Sequence, residues 1–166
     1  MKALSKLILA HQPPSGVYWI GESVASEELE NLAAQPETTV CHIRGAEICT
    51  MAEFLEAARR AADAPEECGY NIDMFRDCMR TFASSKAVYI TVYDFIEIFA
   101  TSNVSDFAMV IETMIEVALA WDETSPKKRL YSFLSGDTNA LQFIRNDYRF
   151  HSKEKINNFW HLLSLD

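Results

Sequence analysis

The chain has 166 residues, 49% of them hydrophobic and 23% charged, a balance that sustains one domain with a real core and excludes a disordered chain. Its apolar runs are too short to cross a bilayer, and His11-Gln12-Pro13-Pro14 is not a cleavage site, so a cytoplasmic protein with no membrane contact is expected. A formal charge of −9 repels phosphate backbones and attracts basic proteins, which argues against nucleic acid as a ligand, although such charge also serves solubility.

Residues 1–15 read as irregular, because Pro13-Pro14 stops a helix. Gly16 to Ile20 reads as a strand. Ser26 is placed as the cap of a helix to about Gln35, with Leu29, Leu32 and Ala33 on one face. Thr38 to Ile43 is β-branched and reads as a second strand, closed by a turn at Arg44 to Glu47. Thr50-Met51-Ala52-Glu53 has the form of a capping box, and Met51, Phe54, Leu55 and Ala58 continue it as a helix. Asp63 to Gly69 reads as a loop. A helix follows from near Asn71, with Ile72, Phe75, Cys78, Met79 and Phe82 inward.

Ala87 to Val92 is an almost unbroken apolar run, which suits a strand covered on both faces of a parallel sheet. Asp94 to Phe99 reads as a helical turn. Ser105 is placed as the cap of a long helix from Asp106 to Trp121, buried through Val110, Ile111, Met114, Ile115, Ala118 and Leu119. Leu130 to Leu134 is the last strand, and Gly136-Asp137 turns the chain. Ile156, Phe159, Trp160 and Leu163 then recur at helical spacing, so the tail is expected to be an amphipathic helix that packs on the domain or on a second copy.

Strands alternate with helices, which predicts an α/β fold: a small parallel sheet with flanking helices, an N-terminal strand–helix extension and a C-terminal helical tail. The expected organisation is a single domain over 1–166, with a core at 38–135, an extension at 1–37 and a tail at 137–166. The four cysteines, Cys41, Cys49, Cys68 and Cys78, form no CxxC pair and are expected to be reduced thiols, several of them buried. The four histidines lack the spacing of a metal site, and no cofactor is expected.

The informative stretch is Pro65-Glu66-Glu67-Cys68-Gly69-Tyr70-Asn71-Ile72-Asp73-Met74-Phe75-Arg76-Asp77-Cys78-Met79. Gly69 would permit a left-handed turn, and Asn71 can cap the helix. Asp73 and Asp77, four residues apart, project from one helix face, with Glu66 and Glu67 in the adjoining loop. The segment resembles the signature of the barstar family, with Pro65, Gly69, Asn71, Asp73, Asp77 and Cys78 in register, and the order of elements matches over about 38–135. The resemblance implies a protein inhibitor, not an enzyme, whose partner is a basic ribonuclease or ribonuclease-like toxin. It implies that Asp77 enters the nuclease site, and that a glutamate late in the long helix, Glu116 or else Glu112, contributes. Glu66, Glu67, Gly69, Asn71, Asp73 and Arg76 complete the expected binding set.

Two positions depart from the family pattern. The aromatic pair before the glycine is Glu67-Cys68, and an aromatic before the key aspartate is Arg76. Both changes point to a toxin related to, but different from, the prototype's nuclease. The runner-up is an acidic scaffold for another basic protein. An enzyme would have to use Asp73 and Asp77 as paired carboxylates, and the sequence offers neither a phosphate loop nor a nucleophile elbow to support one.

Overall fold

The computed structural model describes residues 4–21, 23–81, 86–124 and 127–137. The predicted tail stripe and Phe82 lie outside these residues. The elements are α1 (Leu4–His11), β1 (Gly16–Gly21), α2 (Ser26–Ala33), β2 (Thr38–Arg44), α3 (Met51–Ala61), α4 (Ile72–Thr81), β3 (Val88–Asp94), α5 (Ile96–Ser102), α6 (Val104–Thr124) and β4 (Arg129–Ser135), with short 3-10 turns at Gly45–Glu47 and Glu66–Gly69. The strands form one parallel sheet in the order β1-β4-β3-β2. The expected α/β fold with a parallel sheet is therefore present. The segment read as an N-terminal extension adds its strand to this same sheet, with Val17 opposite Ser132 of β4.

The alternation of side chains along the strands divides the core in two. Val17, Trp19, Cys41, Ile43, Tyr89, Tyr93, Leu130 and Leu134 pack with α3, α4, α5 and α6. Tyr18, Ile90, Val92, Tyr131 and Phe133 face the other way and pack with Leu4, Ile8 and Leu32 of α1 and α2. Burial on both faces is why Ala87 to Val92 carries almost no polar residue.

Several local expectations change. Residues 4–11 are helical: Leu4 and Ile8, one turn apart, are buried, and the Ser5 amide donates to Glu28 Oε1 at 2.6 Å, a partner supplied by α2. Pro13-Pro14 acts only after that helix has ended. At α2 the cap is Ala25, with no side-chain cap bond, and Ser26 is the first helical residue. At α6 the cap is Asn103, not Ser105: Asn103 Oδ1 accepts from the Asp106 amide at 3.2 Å, and its Nδ2 donates to Asp106 Oδ2 at 2.8 Å. Leu119 is 40% exposed, because at about 100° per residue it lies some 140° round the helix from Met114, the middle of the buried face. The capping box of α3 is formed as expected. Thr50 Oγ1 accepts from the Glu53 amide at 3.3 Å, and Glu53 Oε2 accepts from the Thr50 amide at 3.0 Å.

The cysteine expectation is corrected more deeply. Cys68 and Cys78 are joined in a disulfide, and only Cys41 and Cys49 are free thiols. Ten residues separate the pair in sequence, with no CxxC spacing to announce it, and the fold brings the 3-10 turn against α4.

Candidate protein-binding site

The predicted site residues lie on α4, the turn before it and α6, with α4 packed against both the turn and α6. Asn71 caps α4, its Oδ1 accepting from the Met74 amide at 2.9 Å. This fixes where the helix begins and so where Asp73 and Asp77 project. Both aspartates are exposed. Glu66 and Glu67 are also exposed, on the 3-10 turn.

That turn is braced from two sides. Cys68 ties it to α4 through the disulfide. On the other side, Arg59 of α3 donates to the Ala64 carbonyl at 3.2 Å and to Glu56 Oε2 and Oε1 at 2.8 and 2.9 Å. Hydrogen bonds from Arg59 and Arg60 hold the Glu56 carboxyl down at about 2, well below the usual carboxylate range. Gly69 lies over this pair: a Cβ there would come within 3.3 Å of Arg59 Cδ. Gly69 is not left-handed, since Gly21 is the one glycine with positive φ among the described residues. Its role is close approach to Arg59, which corrects the expected turn.

Arg76 and Glu116 meet across the α4–α6 contact. Arg76 Nη1 donates to Asp73 Oδ1 at 2.9 Å, and its Nε lies 3.6 Å from Glu116 Oε2, too far for a hydrogen bond but close enough for an ion pair. Asp73, Asp77, Glu116, Glu66 and Glu67 therefore lie near two arginines of α4, Arg76 and the exposed Arg80 three residues after Asp77. Trp121 Nε1 donates to the Met79 carbonyl at 2.9 Å and fixes the end of α6 to the end of α4. Glu112 lies on α6 one turn before Glu116, half-buried.

One residue escaped the sequence reading. Tyr70, between Gly69 and Asn71, is 66% exposed, more than any other large hydrophobic side chain described. The motif put the aromatic positions before the glycine. Here the aromatic follows it, and only exposure distinguishes it from a packed ring.

A second polar cluster, also unforeseen, lies at the carboxyl end of the sheet. His42 Nε2 is 2.5 Å from Asp94 Oδ2, and Ser135 Oγ donates to Asp94 Oδ1 at 2.6 Å. Strand alternation puts all three on the α1–α2 side of the sheet, away from α4 and α6. The carboxylate sits between imidazole and hydroxyl, so His42 has no direct path to the Ser135 proton, and the trio lacks the order of a nucleophilic triad. Among the described residues no group of three or more histidine, cysteine and acidic side chains could hold a metal, and no helix is long and apolar enough to cross a membrane.

The family model described as Barstar (barnase inhibitor) matches residues 38–133, more than half of the chain, and spans β2 through most of β4. The chain belongs to the barstar family. No curated protein matches the chain. The fold is also similar to parts of larger solved structures. The Aeropyrum pernix ORC2 protein in its ADPNP–ADP complexes aligns with a TM-score of 0.63 at 12% identity, over 95% of this chain and 43% of that one. Its ADP form aligns at 0.55 and 12%, over 86% and 41%. Drosophila ORC bound to poly(dA/dT) DNA and Cdc6 aligns at 0.50 and 12%, over 92% and 26%. The chain thus spans less than half the length of these proteins, and at such identity the likeness is one of fold alone.

Proposed function

We propose that the chain is a cytoplasmic, bacterial immunity or antitoxin protein that blocks the cationic active site of a ribonuclease-type toxin. Family membership supports this reading, and so does the acidic surface formed by Asp77 and Asp73 on α4, Glu116 on α6, and Glu66 and Glu67 on the braced turn. A ribonuclease must hold phosphate, so its site is cationic, and fixed carboxylates can occupy the phosphate positions without being cleaved. A rigid face is suited to this work, because little side-chain or loop entropy is lost on binding. The net charge of −9 steers a basic partner toward it. In this reading the protein is not an enzyme and needs no cofactor, nucleic acid or membrane.

Arg76 sets the partner apart from the prototype's nuclease. A guanidinium where the family has an aromatic favours a toxin with an acidic group near the rim of its cationic site. The test is inhibition of RNA cleavage by basic bacterial ribonucleases at stoichiometric amounts of the chain. The on-rate should fall steeply with salt while the off-rate changes little. A co-purifying partner without nuclease activity, bound through the same face, would favour the reading as a scaffold for another basic protein.

A further inference from the structure

We infer that the Cys68–Cys78 disulfide is a redox modification site within the binding face, and that its reduction by a dithiol lowers the affinity of that face for a basic protein partner. The inference rests on the reading of this face as a protein-binding site. Three observations carry it. First, the bond links the two parts of the face, the turn with Glu66 and Glu67 and the helix with Asp73 and Asp77, and its second sulfur belongs to the residue after Asp77. Second, the turn's own backbone bonds are local: Cys68 N–H to the Pro65 carbonyl at 3.1 Å and Tyr70 N–H to the Glu67 carbonyl at 3.2 Å. It is tied to the rest of the protein by Arg59, whose guanidinium and carbonyl both bond Ala64 just before the turn, by the packing of buried Cys68, and by the disulfide. Third, Cys68 is 4% exposed while Cys78 is only half-buried, so the two ends differ in access.

The exchange follows from that difference. A thiolate of the dithiol attacks Cys78 Sγ, a new sulfur–sulfur bond forms there, and the Cys68–Cys78 bond breaks with Cys68 Sγ leaving as thiolate. The second thiol of the reductant then attacks its own sulfur in the mixed disulfide and releases Cys78 as thiolate. Both protein thiolates take up protons, the reductant is left as a disulfide, and two electrons have passed to the protein. Without the bond the turn retains the Arg59 contact at one end, and Glu66, Glu67 and Tyr70 must be ordered again each time a partner binds. In a reducing cytosol a disulfide of this kind is transient and responsive, which suits an inhibitor whose hold on a toxin changes with redox state.

The test uses the full chain purified without reductant, its dithiothreitol-treated form, and Cys78→Ser as a permanently open variant. Titration of denatured protein should give the thiols of Cys41 and Cys49 before treatment and all four afterwards; four before treatment, unchanged by a mild disulfide oxidant, would overturn the inference. Amide exchange over residues 66–71 should be roughly tenfold faster or more in the reduced form, with α6 unchanged. Calorimetry with barnase as probe should show a Kd roughly tenfold higher for the reduced form and for Cys78→Ser. Equal affinities would overturn the redox inference and leave the inhibitor reading standing. If neither form binds barnase, it is the reading for that nuclease that fails, and amide exchange alone decides the disulfide's role: equal exchange in the two forms overturns it.

Discussion

Arg76 of α4 reaches Glu116 of α6 with its Nε 3.6 Å from the carboxylate while its Nη1 holds Asp73 at 2.9 Å. One guanidinium thus positions two of the carboxylates assigned to the partner and partly neutralises both. Arg76→Ala should raise the on-rate for a basic nuclease, because it frees two acidic groups and deepens the negative field. The effect on stability should stay within about 1 kcal/mol, since Asp73 and Glu116 remain in contact with water. Stopped-flow association at low and high salt, with urea unfolding of the same variant, checks both halves. An on-rate unchanged at low salt would mean that these carboxylates do not face the partner.

Asp77 and Tyr70 should separate in an alanine scan against the native partner. Asp77→Ala should cost about 2 kcal/mol of binding or more, as expected when a carboxylate desolvated against a cationic cluster is removed, a behaviour for which the family's prototype is the standard example. Tyr70→Ala should also weaken binding, because an exposed aromatic beside the charged centre can cover the partner's rim. Asp73→Ala and Glu116→Ala should cost less than Asp77→Ala, and Glu67→Ala least. Thermal unfolding should hardly move for Asp77 and Tyr70, both exposed. If Asp77→Ala binds as wild type with the fold intact, the interface lies elsewhere.

Asp94 should matter for stability and not for binding. It is 3% exposed and bonded to both His42 and Ser135, at the far side of the sheet from α4. Asp94→Ala leaves a buried hydroxyl and a half-buried imidazole without their partner, and should cost about 3 kcal/mol in urea unfolding. Loss of nuclease inhibition at concentrations where the variant is still folded would contradict this separation of the two clusters.

Acid should loosen the brace under the turn before it unfolds the core. The Glu56 carboxyl is held at about 2 by Arg59 and Arg60, and that of Glu53 is lowered by the Cys49 amide first and then by Thr50. Both folded-state values lie below the ordinary 4.5. Their contribution is therefore complete above that value and is lost as pH falls through the folded-state ones. Stability should decline through that acid window, and Glu56→Gln should flatten the decline. A carbon-detected titration placing Glu56 near the ordinary value would remove the brace. Thr50→Ala, which opens the capping box, should cost about 1 kcal/mol at neutral pH.

The alternation of apolar runs and helical stripes was enough to find the four strands and the helices that follow them, because strand and helix periods are properties of local sequence. The capping box at Thr50 and Glu53 and the cap at Asn71 were legible for the same reason: donor and acceptor lie within one turn of each other. The acidic motif and its family could be read from residues 65–79, since the pattern is contiguous. What could not be read depends on partners distant in sequence. The α1 helix owes its first bond to Glu28, twenty-three residues on. His42, Asp94 and Ser135 meet because three strands end side by side, and no spacing announces that. Gly69 lies close against Arg59 and makes no left-handed turn. Cys68 and Cys78 pair because the 3-10 turn folds back on α4, which two cysteines ten residues apart do not by themselves require. Sequence alone thus determined the described elements other than α1 and the charge of the face proposed to bind a partner; tertiary structure decided how that face is braced, since bracing is a matter of which distant side chains the packed layers bring within bonding distance.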